Sequence, residues 1–165
     1  MKSVQAIPDK IFTLDTILQQ LKRWRLLGKK IVFTNGVFDI LHEGHIASLS
    51  EAALQGNILI VGINSNASVK RLKGESRPVN NENSRMLLLA SLVMVDAVIL
   101  FEEDTPLNLI TAILPNVLVK GGDYTFEQIA GAKEVIANGG EVKIVPIVEG
   151  FSTTGIIEKM KVSNR

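Results

Sequence analysis

Apolar positions along this chain switch between two rhythms. Leu14, Ile17, Leu18 and Leu21 recur at helical spacing, with Thr13 placed to cap the start and Gly28 to stop the end. Ile31-Val32-Phe33 is then an unbroken apolar run, the pattern of a buried strand over about 30–34. Ile46, Leu49 and Ala53 resume the helical spacing as far as Gly56. A second strand is predicted at 57–63, followed by a turn at Asn64-Ser65-Asn66, a short basic helix at 67–72 and a longer helix at 81–93. The third strand is 97–101, and the helix after it is expected to use Thr105 as N-cap and Pro106 as its first residue. A strand at 116–120 with a helix at 127–137, then a strand at 141–147 with a helix at 152–160, complete the series. Residues 1–12 read as irregular.

Strands alternating with helices predict right-handed βαβ units. The expected fold is α/β, a doubly wound parallel five-stranded sheet covered on both faces. Residues 1–29 are expected to pack as a helical segment on the core of residues 30–165, within one structural domain. Ligands of such sheets bind beyond the strand C-termini, and the unusual loops of this chain all follow predicted strands.

Composition narrows the function. Of 165 residues, 46% are hydrophobic, enough for a sizeable core. Eighteen basic against seventeen acidic residues give a net charge of +1, which offers no electrostatic case for nucleic acid or a membrane as partner. Cysteine is absent, so thiolate chemistry and disulfides are excluded. The first 24 residues lack the apolar core of a signal peptide, and the run Leu87–Val95 is too short to span a bilayer. A soluble, cytoplasmic protein is expected.

The candidate chemistry centres on Thr34-Asn35-Gly36-Val37-Phe38-Asp39-Ile40-Leu41-His42-Glu43-Gly44-His45, a strand, tight loop and helix start. It holds the only two histidines of the chain, three residues apart, so both imidazoles can face one ligand. Gly36 and Gly44 permit close backbone approach, and the free N–H groups of a helix start favour an anion. The parts describe a phosphate site. Spacing alone would also allow His42 and His45 to bind a metal, but no third ligand stands nearby, so no protein-built metal site is expected.

Four other constellations follow strands. Lys70, Arg71 and Lys73 suit phosphates or, equally, a solvated helix face; Gly74 puts Lys73 at the loop and makes it the best choice. Arg77 and Arg85 come next, and the alternative for Arg85 is a surface pair with Glu82. Lys120-Gly121-Gly122-Asp123-Tyr124 has the composition of a ligand loop, or of an ordinary turn. Ser152, Thr153 and Thr154 are helix caps or a second anion cradle facing the first, and the two roles are compatible.

The string Gly36-Val37-Phe38-Asp39 with His42-Glu43-Gly44-His45 resembles the G-x-F-D-x-x-H-x-G-H signature of the cytidylyltransferase-like nucleotidyltransferases, many of which carry Cys where Val37 stands. Ser68-Val69-Lys70-Arg71-Leu72-Lys73-Gly74, the Lys120–Tyr124 string and Glu149-Gly150-Phe151-Ser152-Thr153-Thr154 extend the resemblance over nearly the whole chain. They bring it closest to the heptose-1-phosphate adenylyltransferases, the C-terminal-domain type of ADP-heptose synthase. The resemblance implies a Rossmann-like fold and transfer of AMP from ATP to D-glycero-D-manno-heptose 1-phosphate with Mg2+, in the making of lipopolysaccharide. It implies catalytic roles for His42, His45 and Lys73. Nucleotide contacts would come from Thr34, Asn35, Gly36, Phe38, Asp39, Gly44, Arg85, Gly121, Asp123, Ser152, Thr153 and Thr154. Sugar-phosphate contacts would come from Asp39, Lys73 and Lys120. A homodimer is expected, as is a separate heptose kinase, which 165 residues do not contain. A cytidylyltransferase acting on glycerol 3-phosphate or a similar polyol phosphate and a non-catalytic nucleotide-binding sensor are the alternatives.

Overall fold

A computed structural model describes residues 4–122, 124–146 and 153–163. Its six strands are β1 (Ile11–Phe12), β2 (Ile31–Gly36), β3 (Ile58–Asn64), β4 (Ala97–Phe101), β5 (Val117–Gly121) and β6 (Glu141–Val145). Its α-helices are α1 (Leu14–Leu26), α2 (Glu43–Ala53), α3 (Asn66–Lys73), α4 (Glu82–Ala90), α5 (Leu107–Ile113), α6 (Ala132–Ala137) and α7 (Thr153–Ser163).

The strands form one parallel sheet in the order β1-β4-β3-β2-β5-β6. From β2 the chain winds outward through β3 and β4, then returns to the other side of β2 to lay down β5 and β6. The order therefore reverses between β2 and β5, and a crevice opens there beyond the strand ends. Alternation along β2 divides the core. Ile31 and Phe33 join Ile17 and Leu21 of α1 and Ile110 of α5 on one face, while Val32 joins Leu49 of α2 and Leu89 of α4 on the other.

Side chains at strand starts fix the register. Asn116 Oδ1 accepts from Ile31 N at 2.8 Å, and Asp96 Oδ2 accepts from Leu59 N at 2.8 Å. Thr13 caps α1 in a reciprocal box with Thr16.

Three elements differ from the sequence expectation. Ile11–Phe12, read as irregular, adds a sixth strand beside β4, and the Lys10 ammonium secures it by donating to the carbonyls of Leu92 and Val95 at 3.2 and 2.7 Å. The helix expected at 127–137 is a 3-10 turn at Phe126–Gln128 and a separate α6, because Gly131 takes φ +80° between them. Pro106, not Thr105, occupies the N-cap of α5, with ψ at 18°. No helix among the described residues is long and apolar enough to cross a membrane.

Candidate active site

β2 runs straight into the signature loop. Phe38 adopts φ +49°, a left-handed conformation rare for a bulky side chain, and this turns its ring back over Gly36. A Cβ on Gly36 would lie 2.9 Å from that ring, so any larger residue there forces the ring to shift. Asp39 holds the reversal in place. Its Oδ2 accepts from Arg77 Nε at 2.7 Å and Val79 N at 2.9 Å, and its Oδ1 from Asn80 N at 2.8 Å. Burial alone would raise the Asp39 carboxyl, but the N–H groups of Asn80 and Val79 and the Arg77 guanidinium outweigh it and hold its pKa below the usual value.

His42 is the N-cap residue of α2, and Gly44 and His45 lie in its first turn. The two imidazoles stack with centroids 3.8 Å apart and planes 25° apart, and the Phe38 ring lies 5.2 Å from His45. His45 Nδ1 is buried with no hydrogen-bond partner among the described residues. Burial lowers both histidine pKa values; for His45 burial and then the neighbouring His42 bring it to about 4. Both rings are thus neutral at pH 7, at the positive end of a helix dipole.

A cleft of about 620 Å³ opens over this pair. Its wall on the α3 side carries Asn64, Lys73, Arg77, Asp104, Thr105 and Pro106; the wall on the β5 side carries Lys120, Gly121, Tyr124, Gln128, Thr153 and Thr154. Lys73 ends α3 just before Gly74, whose φ of +93° closes the helix. Lys120 reaches toward Asn35 Oδ1 at 3.4 Å and lies 5.2 Å from the Tyr124 ring centroid. Burial lowers its pKa. Thr153 Oγ1 donates to the Ile40 carbonyl at 3.4 Å, which links the start of α7 to the signature loop.

Of the residues named from the sequence, Thr34, Asn35, Gly36, Phe38, Asp39, His42, Gly44, His45, Lys73, Lys120, Gly121, Thr153 and Thr154 all line this cleft. Asp123 and Ser152 lie outside the described residues. Arg85 is not brought to the cleft. It is fully buried and donates to the carbonyls of Asn80, Val37 and Asn64 at 3.1, 2.8 and 2.9 Å and to Asn66 Oδ1 at 3.0 Å. The surface pair with Glu82 does not form either, because Glu82 Oε2 accepts from Asn66 N at 2.7 Å. Arg85 instead joins the ends of three loops behind the site.

Sequence reasoning passed over Ser48, Asn64, Asp104 and Gln128, which also line the cleft. Asp104 sits in a string that reads as a helix start, and Asn64 in one that reads as a turn. Only their position after strands could have singled them out. Among the described residues no group of three or more His, Asp or Glu side chains is arranged to hold a metal.

Comparison with known proteins converges on the same stretch. A family model described as cytidylyltransferase-like matches residues 33–159. The chain is 57% identical over 147 residues to a bifunctional protein HldE of Vibrio cholerae serotype O1, covering 89% of this chain and 31% of that protein. It is 55% identical over 157 residues to the protein of that name from Rhodopseudomonas palustris, covering 94% and 32%. The chain thus spans about a third of the length of these relatives. Among solved structures, a lipopolysaccharide core biosynthesis protein from Thermoplasma volcanium superposes with a TM-score of 0.60 at 34% identity, covering 73% of this chain and 97% of that one. A pantoate-beta-alanine ligase from Francisella tularensis, TM-score 0.54 at 17% identity over 90% of this chain and 76% of that one, shares the fold.

Proposed function

The chain belongs to the cytidylyltransferase-like family, and from that premise we propose that it transfers AMP from ATP to a sugar 1-phosphate, D-glycero-D-manno-heptose 1-phosphate, releasing pyrophosphate. The observation that carries the reading is the stacked pair His42 and His45 at the mouth of α2, between walls bearing Lys73 and Lys120.

The chemistry asks for little more. A phosphomonoester has a second pKa of about 6 and is largely dianionic at neutral pH, so it attacks without a general base. Its oxygen bonds to the α-phosphorus in line with the departing oxygen; the bond to the β-phosphate bridge breaks, and pyrophosphate leaves with the electron pair. The protein's task is to bring two anions together and hold them. Proximity and orientation supply on the order of 7–11 kcal/mol of such a barrier. His45 presents Nε2 to the α-phosphate region, since its Nδ1 is sealed in the interior. As negative charge approaches, the imidazoles gain protons more readily and donate stronger hydrogen bonds. Lys73 and Lys120, on opposite walls, neutralise the incoming and leaving groups, and Thr153 and Thr154 close over the polyphosphate.

Mg2+ held by the triphosphate itself would offset part of that charge, with no protein-built cage among the described residues to carry it. Thr34, Asn35, Gly36, Phe38, Gly44 and Gly121 form the surface against which the nucleotide rests. Asp123 and Ser152 are assigned nucleotide contacts by their strings alone. A kinase acting on the sugar supplies the acceptor, the active species is a homodimer, and the reaction belongs to the cytoplasm.

The test is a matrix of nucleoside triphosphates against sugar and polyol phosphates, with Mg2+, scored for pyrophosphate. ATP with the heptose 1-phosphate is expected to give the highest kcat/KM. Preference for CTP and glycerol 3-phosphate would overturn the substrate assignment. Nucleotide binding without pyrophosphate from any pair would favour a sensor.

A further inference from the structure

Arg77 and Arg85 stood together as candidates in the sequence, and the structure separates them. Arg85 spends Nε, Nη1 and Nη2 on four protein oxygens behind the site. Arg77 lines the cleft and spends only Nε, on Asp39 Oδ2 at 2.7 Å. Among the described residues no acceptor engages its terminal nitrogens.

The carboxylate that holds Arg77 is 1% exposed and divided among three donors, so it fixes the guanidinium without absorbing all of its charge. The Arg77 side chain is itself only 12% exposed. A cation with its paired terminal N–H groups uncommitted in a confined, half-dry space has the form of a fork awaiting a tetrahedral oxyanion, because phosphate oxygens accept two such bonds in parallel. Lys73, another cation of the same wall, lies four residues earlier.

We propose that Arg77, oriented by the buried carboxylate of Asp39, is a phosphate-binding catalytic residue of this site, and that Asp39 is its positioning residue. The proposal rests on the nucleotidyl-transfer reading above. The phosphate belongs to the acceptor or to the polyphosphate of the nucleotide, and the experiment separates the two.

Arg77→Lys keeps the charge and removes the fork. In the full chain, with folding checked by circular dichroism and thermal melting, KM for the sugar 1-phosphate and the calorimetric Kd for ATP are measured separately. Loss of a charge-assisted pair of hydrogen bonds is expected to raise one of them roughly tenfold or more. A rise in KM alone assigns the acceptor phosphate; a rise in Kd for ATP assigns the polyphosphate; a fall confined to kcat assigns a contact made only in the transition state. All three within about twofold of wild type overturn the proposal. If Arg77→Lys does not fold, Arg77→Gln takes its place. Asp39→Asn is expected to move the same parameter, and the double variant to add little to Arg77→Lys, whereas a merely structural aspartate would add its own effect in full. If the wild type releases no pyrophosphate with any substrate pair, the transfer reading fails. The calorimetry then decides alone: ATP affinity weakened in Arg77→Lys supports phosphate binding, and unchanged affinity refutes it.

Discussion

Acid should loosen this protein through His45. The His45 pKa falls from 6.5 to about 4 on folding, because burial and His42 disfavour the imidazolium. Between those two values the unfolded chain binds the proton and the folded chain does not. Stability therefore rises with pH across that window and is lost as pH drops from 6.5 toward 4. At pH 5 the linkage amounts to about 2 kcal/mol relative to pH 7.5, taking 1.36 kcal/mol per pKa unit. Asp39 does not confuse the measurement. Its folded pKa lies below the ordinary value of 3.8, so it is ionised in both states at pH 5, and its contribution disappears only at lower pH. The assay is urea unfolding of wild type and His45→Gln at pH 7.5 and pH 5.0. Wild type is expected to lose up to about 2 kcal/mol more than the variant, a midpoint difference of about 1 M for a slope near 2 kcal/mol/M. His42, whose pKa burial also lowers, remains in the variant and acts in the same direction, so its share cancels in part. An identical loss in both proteins would refute the reasoning. With only two histidines in the chain, their imidazole proton resonances give an independent titration.

Three further outcomes are expected. His45→Ala should lower kcat by about 10²–10³-fold, the usual cost of a transition-state donor, with a near-native circular dichroism spectrum; turnover within threefold of wild type would count against the assigned role. Gly36→Ala should push the Phe38 ring away from its 2.9 Å approach and with it the packing against His45, read as a fall of about tenfold in kcat. Arg85→Ala strands four acceptors, the Asn64 carbonyl buried and the other three partly buried, and should cost about 2–4 kcal/mol, seen as a melting temperature roughly 10 °C lower; an unchanged melt would show that the loops close without it.

The strand, loop and helix from Ile31 to Ala53 were legible because apolar rhythm, glycine spacing and the paired histidines all point to one arrangement. Thr13 as a cap was equally plain. What escaped has physical reasons. Ile11–Phe12 is too short to show alternation, and its strand character comes only from pairing with Val98 and Ile99, far along the chain. Gly131 stood in view, but a helical pattern ran through it. The reason for the break is tertiary, since a Cβ there would lie 2.5 Å from Ile110. Arg85 was visible as a cation on an apolar helix, yet its acceptors are mostly backbone carbonyls of loops remote in sequence. Arg77 and Asp39 illustrate the same limit: the residues could be named, but their pairing needed the loops closed.

The two-residue strand β1 has one more consequence. Ala97-Val98-Ile99-Leu100-Phe101 is an uncharged, β-prone ribbon, and Ile11 and Phe12 are what keep its outer margin from meeting another chain. Trimming the protein back to Thr13 would leave most of the fold's internal contacts in place while baring an adhesive seam. Such a shortened protein is expected to lose solubility before it loses shape.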